Sequence, residues 1–509
     1  MKQKVNNSTS SAYDCKEKEQ CLTVFKWISI FFIIYAMPII IANVLYKDDL
    51  RRVLYGDPST WYRDGRPIMA LILKAFSFGT PVFDTSPLPL ITGLLFLSFS
   101  LTMFYKKYLH DYDTLSAILC LLMFITSPFF LENLSFRFES VGMCISIGLF
   151  ILLFSLPDDI SHPVSLAASM VFTICVSCIY QSTLGTFLAL LFVTVFIELK
   201  VVPLKISLKK AFYKFTGFCL GTLFYLFCIA PNYVAKDGYQ AEHSGLISLS
   251  SEGLIKYFSN LKSFLVYLKL MYFPEGNPLV TILSAGVILL TLVAITIYVN
   301  SILSAKREKT KTGKVFLAFI APALILVSAF LPMCVLTNPN YMPRVFLSFN
   351  IFLLFIGIML VSLSKKKRLA LFIFVPIYLF SYGFSYTYAN LLKSQTEYEA
   401  HIAQSIIYDL NKIKGINSSY KFHIEGKKVV AKDVSLATKK YNIFNLMIPI
   451  ILQKNSVFTG HLLSHHAAYR IDTSPLKKYN PNEYKAIISN SMYRIMQNKK
   501  DIVIEFVFK

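Results

Sequence analysis

Runs of about 20 mostly apolar residues, long enough to carry a helix across the hydrocarbon of a bilayer, recur along the first four fifths of this chain. They lie at 22–45, 87–105, 113–131, 140–156, 163–180, 182–198, 212–232, 279–303, 315–336, 345–363 and 369–391. The stretch 163–198 is too long for one ordinary span, and the polar cluster Tyr180–Gln181–Ser182 splits it. The pattern therefore predicts a polytopic α-helical membrane protein with about eleven transmembrane helices. A polar segment, 1–21, precedes them and is expected in the cytoplasm. The run 22–45 ends at charge with no small-residue cleavage site, so it is expected to stay as a helix and not to be removed as a signal peptide. After residue 392 the pattern changes. In 393–509 the stretch 396–413 has helical spacing, and "SYKFHIEG" and "KKDIVIEFVFK" alternate like short strands. A small α+β domain outside the membrane is expected there.

Composition agrees with the pattern: 55% of residues are apolar, 16% are charged, and mean hydropathy is +0.54, outside the range of soluble globular domains. The net charge of +22 does not point to nucleic acid, because the Lys and Arg sit in short clusters between apolar runs. "KVVPLKISLKK", "AKREKTKTGK" and "KKKR" fall in alternate connections and carry almost no acid, as the positive-inside rule expects of cytoplasmic loops. The intervening segments 46–86, 132–139, 233–278 and 337–344, with the tail, then face the other side. The pair Cys175 and Cys178 lies inside an apolar run with no second pair or nearby His, so packing is expected of it.

The outward segments differ in chemistry from the inward ones. "LYKDDLRRVLYGDPSTWYRDGRP" sets Asp48, Asp49, Asp57 and Asp64 among Arg51, Arg52, Arg63 and Arg66 beside Trp61; "ENLSFRFE" supplies Glu132, Asn133, Arg137 and Glu139; "NPNYMPR" ends at Arg344. Acids and arginines gathered on one membrane face suit a reaction in which a carboxylate takes a proton while cations hold a phosphate. The planar fork of arginine matches phosphate oxygens. Residues 253–274 place Leu254, Ile255, Phe258, Leu261, Leu265 and Leu268 near one helical face with lysines interleaved. This reads as a helix lying in the outer interface or packed against the spans. His461, His465 and His466 lack carboxylate or Cys partners at ligand spacing, and no metal is expected on them.

The order Asp-Asp-x-x-Arg, then Gly, Trp and Gly-Arg-Pro, in "KDDLRRVLYGDPSTWYRDGRPIMALILK" followed by "FDTSPLPLITG", resembles the serotype-converting O-antigen glucosyltransferases of enteric bacteria and their phages. The likeness continues through "SPFFLENLSFRFES" and "YQSTLGTFL" and covers roughly residues 45–190. The resemblance implies a GT-C-type glycosyltransferase in the bacterial inner membrane, its active site facing the periplasm. Such an enzyme takes a glucosyl group from undecaprenyl phosphate-glucose and places it on a sugar of the O-antigen, with no cofactor and no divalent metal. Asp48 and Asp49 match the acidic pair, Arg52 the following arginine, Trp61 the tryptophan, and Gly65, Arg66 and Pro67 the last motif. Where the family tends to have Asp, this chain has Glu139.

In that scheme Asp48 or Asp49 is the general base. Arg52, Arg66, Arg137 and Arg344 hold the donor phosphate, and Trp61, Glu132, Asn133, Glu139, Tyr180 and Gln181 line the substrate site. Alternatively, Asp49 only anchors Arg52 as an ion pair. The competing functions are transfer of another sugar (galactose, N-acetylglucosamine or aminoarabinose) from a polyprenyl phosphate carrier, and a non-enzymatic flippase for lipid-linked sugars.

Overall fold

The computed structural model describes residues 2–237, 242–243, 245–304, 310–363, 367–476 and 479–507. Much of the two lysine-rich runs expected at 304–314 and 364–368 lies outside the described residues.

Eleven helices fill the first part of the chain: α1 Lys2–Ala42, α2 Asp49–Tyr55, α3 Ser59–Arg63, α4 Pro67–Phe76, α5 Leu88–Phe104, α6 Thr114–Leu122, α7 Phe130–Ser135, α8 Ser140–Ser155, α9 His162–Ile179, α10 Leu184–Glu198 and α11 Leu204–Phe224. There follow α12 Ser251–Tyr272, α13 Pro278–Ser304, α14 Lys311–Cys334, α15 Phe349–Leu363, α16 Lys367–Leu410, α17 Lys432–Lys440 and α18 Val457–His466. Among the described residues seven helical segments are long and apolar enough to cross a membrane, at 16–42, 88–109, 181–198, 204–233, 278–304, 311–334 and 369–410. The other four expected spans fall on shorter apolar helices at 114–126, 140–155, 162–177 and 349–363. The long stretch 163–198 is interrupted where polar residues cluster. Tyr180 is extended (φ −157°) and Gln181–Thr183 forms one 3-10 turn before α10.

Polar connections gather at two separate places. Lys106 pairs with Glu17 at 3.3 Å, and Lys107 and Lys210 each stand 3.1 Å from Asp158, which joins segments expected on the cytoplasmic side. The segments 43–86, 132–139 and 337–344 meet at the opposite end of α1 and α5.

The tail builds a four-stranded sheet from β1 Lys421–Gly426, β2 Lys485–Ser489, β3 Tyr493–Asn498 and β4 Asp501–Phe506, in the order β1-β4-β3-β2. The β1–β4 pair is parallel and the other two are antiparallel. The expected boundary at residue 392 lies inside α16, a continuous helix of 44 residues and roughly 66 Å. Its last turns enter the sheet's own core: Ile402, Ile406 and Leu410 pack with Phe422, Ile424, Ile502, Ile504 and Phe506. That core also takes Leu50, from α2 of the membrane part.

Helix α12 wears its apolar residues outward. Leu254, Ile255, Phe258 and Leu265 are exposed, while Gly253, Asn260, Phe264, Tyr267 and Met271 are buried. In water the stripe of Leu and Phe would be the inner face. A helix bordered by hydrocarbon can reverse that order, and the exposed Ile282, Leu289 and Ile297 of α13 follow the same rule.

Candidate active site

The site is assembled where α1 ends. Two left-handed residues, Asn43 (φ 52°) and Lys47 (φ 45°), turn the chain sharply there, a conformation that costs a non-glycine residue roughly 1–2 kcal/mol. Helix α2 then begins at Asp49. It stops at Gly56 (φ 59°), whose N–H caps the Arg52 carbonyl; a Cβ at this position would come within 2.6 Å of Pro81. The short α2 thus has a fixed length and fixed neighbours.

The two adjacent acids part company. Asp49 is fully buried. Its Oδ2 accepts the backbone N–H of Tyr46 at 3.1 Å and of Arg137 at 3.0 Å, and its Oδ1 lies 3.5 Å from Arg52 Nη1. Burial pushes its carboxyl up to about 7, against the opposing pull of Arg52 and the Arg137 and Tyr46 amides, with Glu139 adding to the rise. Asp48 keeps 41% of its side chain exposed, and its Oδ2 stands 3.7 Å from Arg344 Nη1.

Two buried glutamates organise the cations. Glu139 Oε1 accepts from Arg52 Nη2 at 2.7 Å and from Trp61 Nε1 at 2.7 Å, with Arg66 Nη1 at 3.6 Å. The Arg52 guanidinium also lies over the Trp61 ring, 4.7 Å from its centre. Glu132 Oε1 accepts from Lys47 Nζ at 2.8 Å and Tyr46 Oη at 3.1 Å, and its Oε2 accepts the Arg344 N–H at 2.8 Å. Burial alone would raise both carboxyls. Arg52, Arg66 and Arg344 around Glu139, and Lys47 and Arg344 around Glu132, outweigh it and hold both below the usual glutamate range.

The four expected arginines are not equivalent. Arg52 is buried and spent on Glu139 and Asp49. Arg137 turns away from Asp48: it donates to the carbonyls of Val44 at 3.1 Å and Asn43 at 2.7 Å, and to the side chains of Asp84 and Asn43. Arg66 and Arg344 each leave 20% of the side chain exposed, and their guanidinium ion pairs are long, at 3.6–3.8 Å. Arg66 Nε donates to Gln181 Oε1 at 3.0 Å, and its guanidinium lies 4.9 Å over the Tyr180 ring. Gln181 Nε2 in turn donates to the Asp64 carbonyl at 3.0 Å and to Tyr225 Oη at 2.8 Å. Gly65 (φ 72°) passes so close that a Cβ there would meet Tyr225 Oη at 2.4 Å.

The Pro343–Phe346 turn touches the Gln181–Thr183 turn, which brings Arg344 to the same floor. A narrow gap lies between Arg66, Glu139, Tyr180, Met69, Met143 and Ile179. Asn133 lies just below, donating to the Arg344 carbonyl at 3.0 Å, with its own Oδ1 buried and unpaired.

A family model described as glucosyl transferase GtrII matches residues 37–361. The chain belongs to the GtrII glucosyl transferase family. All twelve expected site residues lie within the GtrII match. An uncharacterized 55.3 kDa protein in the gtrB 5′ region of Salmonella phage P22 is 35% identical over 245 residues, 47% of this chain and 49% of that protein. The chain therefore spans about half the length of the curated relative it matches. No solved structure matches it.

Beyond the expected residues, the charged cluster includes Lys47 and Tyr46 on Glu132. The sequence signal for Lys47 was its place directly before the two aspartates. Among the described residues no three His, Cys, Asp or Glu converge as a metal site. The His465 and His466 rings lie 5.3 Å apart, whereas His461 packs on Tyr55 of α2, at 6.4 Å.

Proposed function

We propose that this protein transfers a glucosyl group from undecaprenyl phosphate-glucose to a hydroxyl of a lipopolysaccharide O-antigen sugar, at the periplasmic face of the bacterial inner membrane. The observation that carries the reading is the divergence of Asp48 and Asp49. One carboxylate stands exposed beside an incompletely paired arginine, and the other is sealed among amides.

Asp48 is the general base. It takes the proton of the acceptor hydroxyl as the acceptor oxygen bonds to the anomeric carbon, and the bond from that carbon to the phosphate oxygen breaks. The leaving lipid phosphate carries the negative charge away. Arg66 and Arg344, with exposure and hydrogen-bonding capacity to spare, receive it; stabilising charge as it develops is where preorganised cations act most strongly. Attack opposite the leaving phosphate inverts the anomeric centre. Asp49 holds the start of α2 to the 136–137 turn, and Arg52 with Trp61 fixes Glu139 as the counter-charge that keeps Arg66 in place. The Tyr180 ring beside Arg66 is suited to the flat C–H face of a sugar, whereas Asn133, fully buried, holds the Arg344 carbonyl.

The test is purified protein in liposomes with undecaprenyl phosphate carrying radiolabelled glucose, and lipopolysaccharide of defined O-antigen. Label appearing on one acceptor hydroxyl supports the reading. Label that moves between leaflets without transfer would instead make the protein a flippase, and transfer only from carriers bearing another sugar would change the donor.

A further inference from the structure

The loop that ends at Arg344 is held from an unexpected direction. Residues 334–346 connect α14 to α15, and helix α12 grips them with its inner face. Asn260 is fully buried on that face. Its Nδ2 donates to the carbonyls of Cys334 at 3.0 Å and Leu336 at 2.9 Å, and its Oδ1 accepts from Tyr341 Oη at 2.8 Å. One amide thus ties the beginning of the loop to a residue three positions before Arg344. Tyr267, two turns further on, donates to the Tyr341 carbonyl, and the Phe264 ring lies 5.0 Å from Tyr341 and 5.1 Å from Phe346. The loop's first residues also pair with the segment before α12: Ile247 N–H to the Val335 carbonyl at 3.0 Å and Thr337 N–H to the Gly245 carbonyl at 2.8 Å.

Nothing in the loop's own sequence would fix Arg344 so well. Pro343 removes one backbone donor, and the Arg344 guanidinium meets Asp48 only at 3.7 Å. The guanidinium lies 5.2 Å over the Phe136 ring, and Glu132 and Asn133 hold the Arg344 backbone from one side, while the rest of the loop is held from α12.

We infer that Asn260 is a positioning residue for Arg344, acting through Tyr341, so that α12 sets where the cation meets the donor phosphate. Asn260 touches no reacting atom. The inference rests on the transferase reading for its kinetic consequence and on the hydrogen bonds alone for its structural one. The outward Leu and Phe of α12, with Lys262 and Lys269 between them, put the same helix against lipid. The helix that grips the Arg344 loop is then also one that borders the carrier's environment.

Two measurements test this on the full-length protein in liposomes. Asn260→Ala is expected to lower kcat/KM for the lipid-phosphate donor about tenfold, the scale of one or two lost hydrogen bonds, because Arg344 meets both the bound phosphate and the charge that develops on it. Tyr341→Phe, which removes one of the three bonds, is expected to shift kcat/KM in the same direction by less. Phe258→Ala, on the outer face, serves as the control. Hydrogen exchange of amides in 335–344 is expected to quicken in Asn260→Ala while exchange in α2 and the sheet stays unchanged. Wild-type exchange together with wild-type kcat/KM in Asn260→Ala overturns the inference. If Asn260→Ala does not fold, Tyr341→Phe decides by the same two readouts. If wild-type protein transfers no glucose, the transferase reading fails, and the exchange measurement still decides the clamp.

Discussion

The Arg344 guanidinium reaches to 3.7 Å from the Asp48 carboxylate, joining the loop between α14 and α15 to the start of α2. Asp49, the next residue, points the other way and is closed in by Tyr46, Arg137 and Arg52. A single residue of backbone separates an accessible acid beside a cation from a structural one.

The first prediction follows from that separation. Asp48→Asn removes the proton acceptor and leaves every buried contact in place. It should bind donor normally and lose turnover by roughly 10²–10⁴, the range that a general base contributes. Asp49→Asn keeps an oxygen for the Tyr46 or Arg137 amide and should retain most of its kcat. Wild-type rates in Asp48→Asn, measured by initial velocity at saturating donor, would sink the assignment.

Asp49 also makes stability depend on pH. In the unfolded chain its carboxyl ionises at about 3.9, and in the folded protein at about 7. Between those values the folded state retains a proton that the unfolded state has released, so rising pH favours unfolding. The stabilisation carried by the protonated carboxyl is full below the unfolded value and is lost as pH rises to the folded one. Asp49→Asn cannot ionise and escapes that loss. Its Tm in detergent, relative to wild type, should climb between about pH 4 and pH 7 and level off above that. A flat difference would mean that Asp49 is already charged in the folded protein.

Arg52 and Arg66 should fail in different ways. Removing Arg52 strips buried Glu139 of its 2.7 Å partner, and an uncompensated buried charge costs about 3–5 kcal/mol. Arg52→Ala should therefore reduce the yield of folded protein. Arg66→Ala and Arg344→Ala leave Glu139 and Glu132 with Arg52 and Lys47, so both should fold and instead lower kcat/KM for the donor tenfold or more. Arg344→Lys should recover only part of this, because the ammonium lacks the planar fork. Equal effects of all three alanines on folding would remove the distinction.

The sequence exposed the site because charge is costly next to membrane-length apolar runs. Asp48, Asp49, Arg52, Trp61, Arg66 and Glu139 stand out there, and they do meet in space. Which acid is buried was not legible: the answer depends on the amides of Tyr46 and Arg137, and the second lies almost 90 positions away. Arg137 and Lys47 exchanged importance for a similar reason. An arginine between two acids reads as a ligand, yet Asn43, Val44 and Asp84 consume it, while Lys47, which the sequence does not single out, bonds Glu132. The Leu and Phe stripe of α12 suggested its inner face as readily as its outer one, because spacing alone does not say which side meets lipid. The polar tail read as a separate domain, and no periodicity could show that its core includes Leu50.

That last contact gives a prediction about the tail. Leu50 is 4% exposed and packs in the core built by Ile402, Ile406, Phe422 and the sheet. Between Asp49 and Arg52, it sits on the same two turns of helix as the buried ion pairs. Tyr46 Oη adds a bond to the Met447 carbonyl at 2.9 Å, and α18 lies along α2. The tail therefore braces the helix that bears Asp48 and Asp49, although the family match ends at residue 361. Leu50→Ala should cost roughly 2–5 kcal/mol, the range for a large-to-small change in a packed core. It should loosen the tail, seen as protease cleavage within 411–509, and lower kcat without touching a charged group. Deleting 411–509 should abolish transfer while the apolar helices still insert. Full activity in that deletion would show that α2 holds its place without the tail.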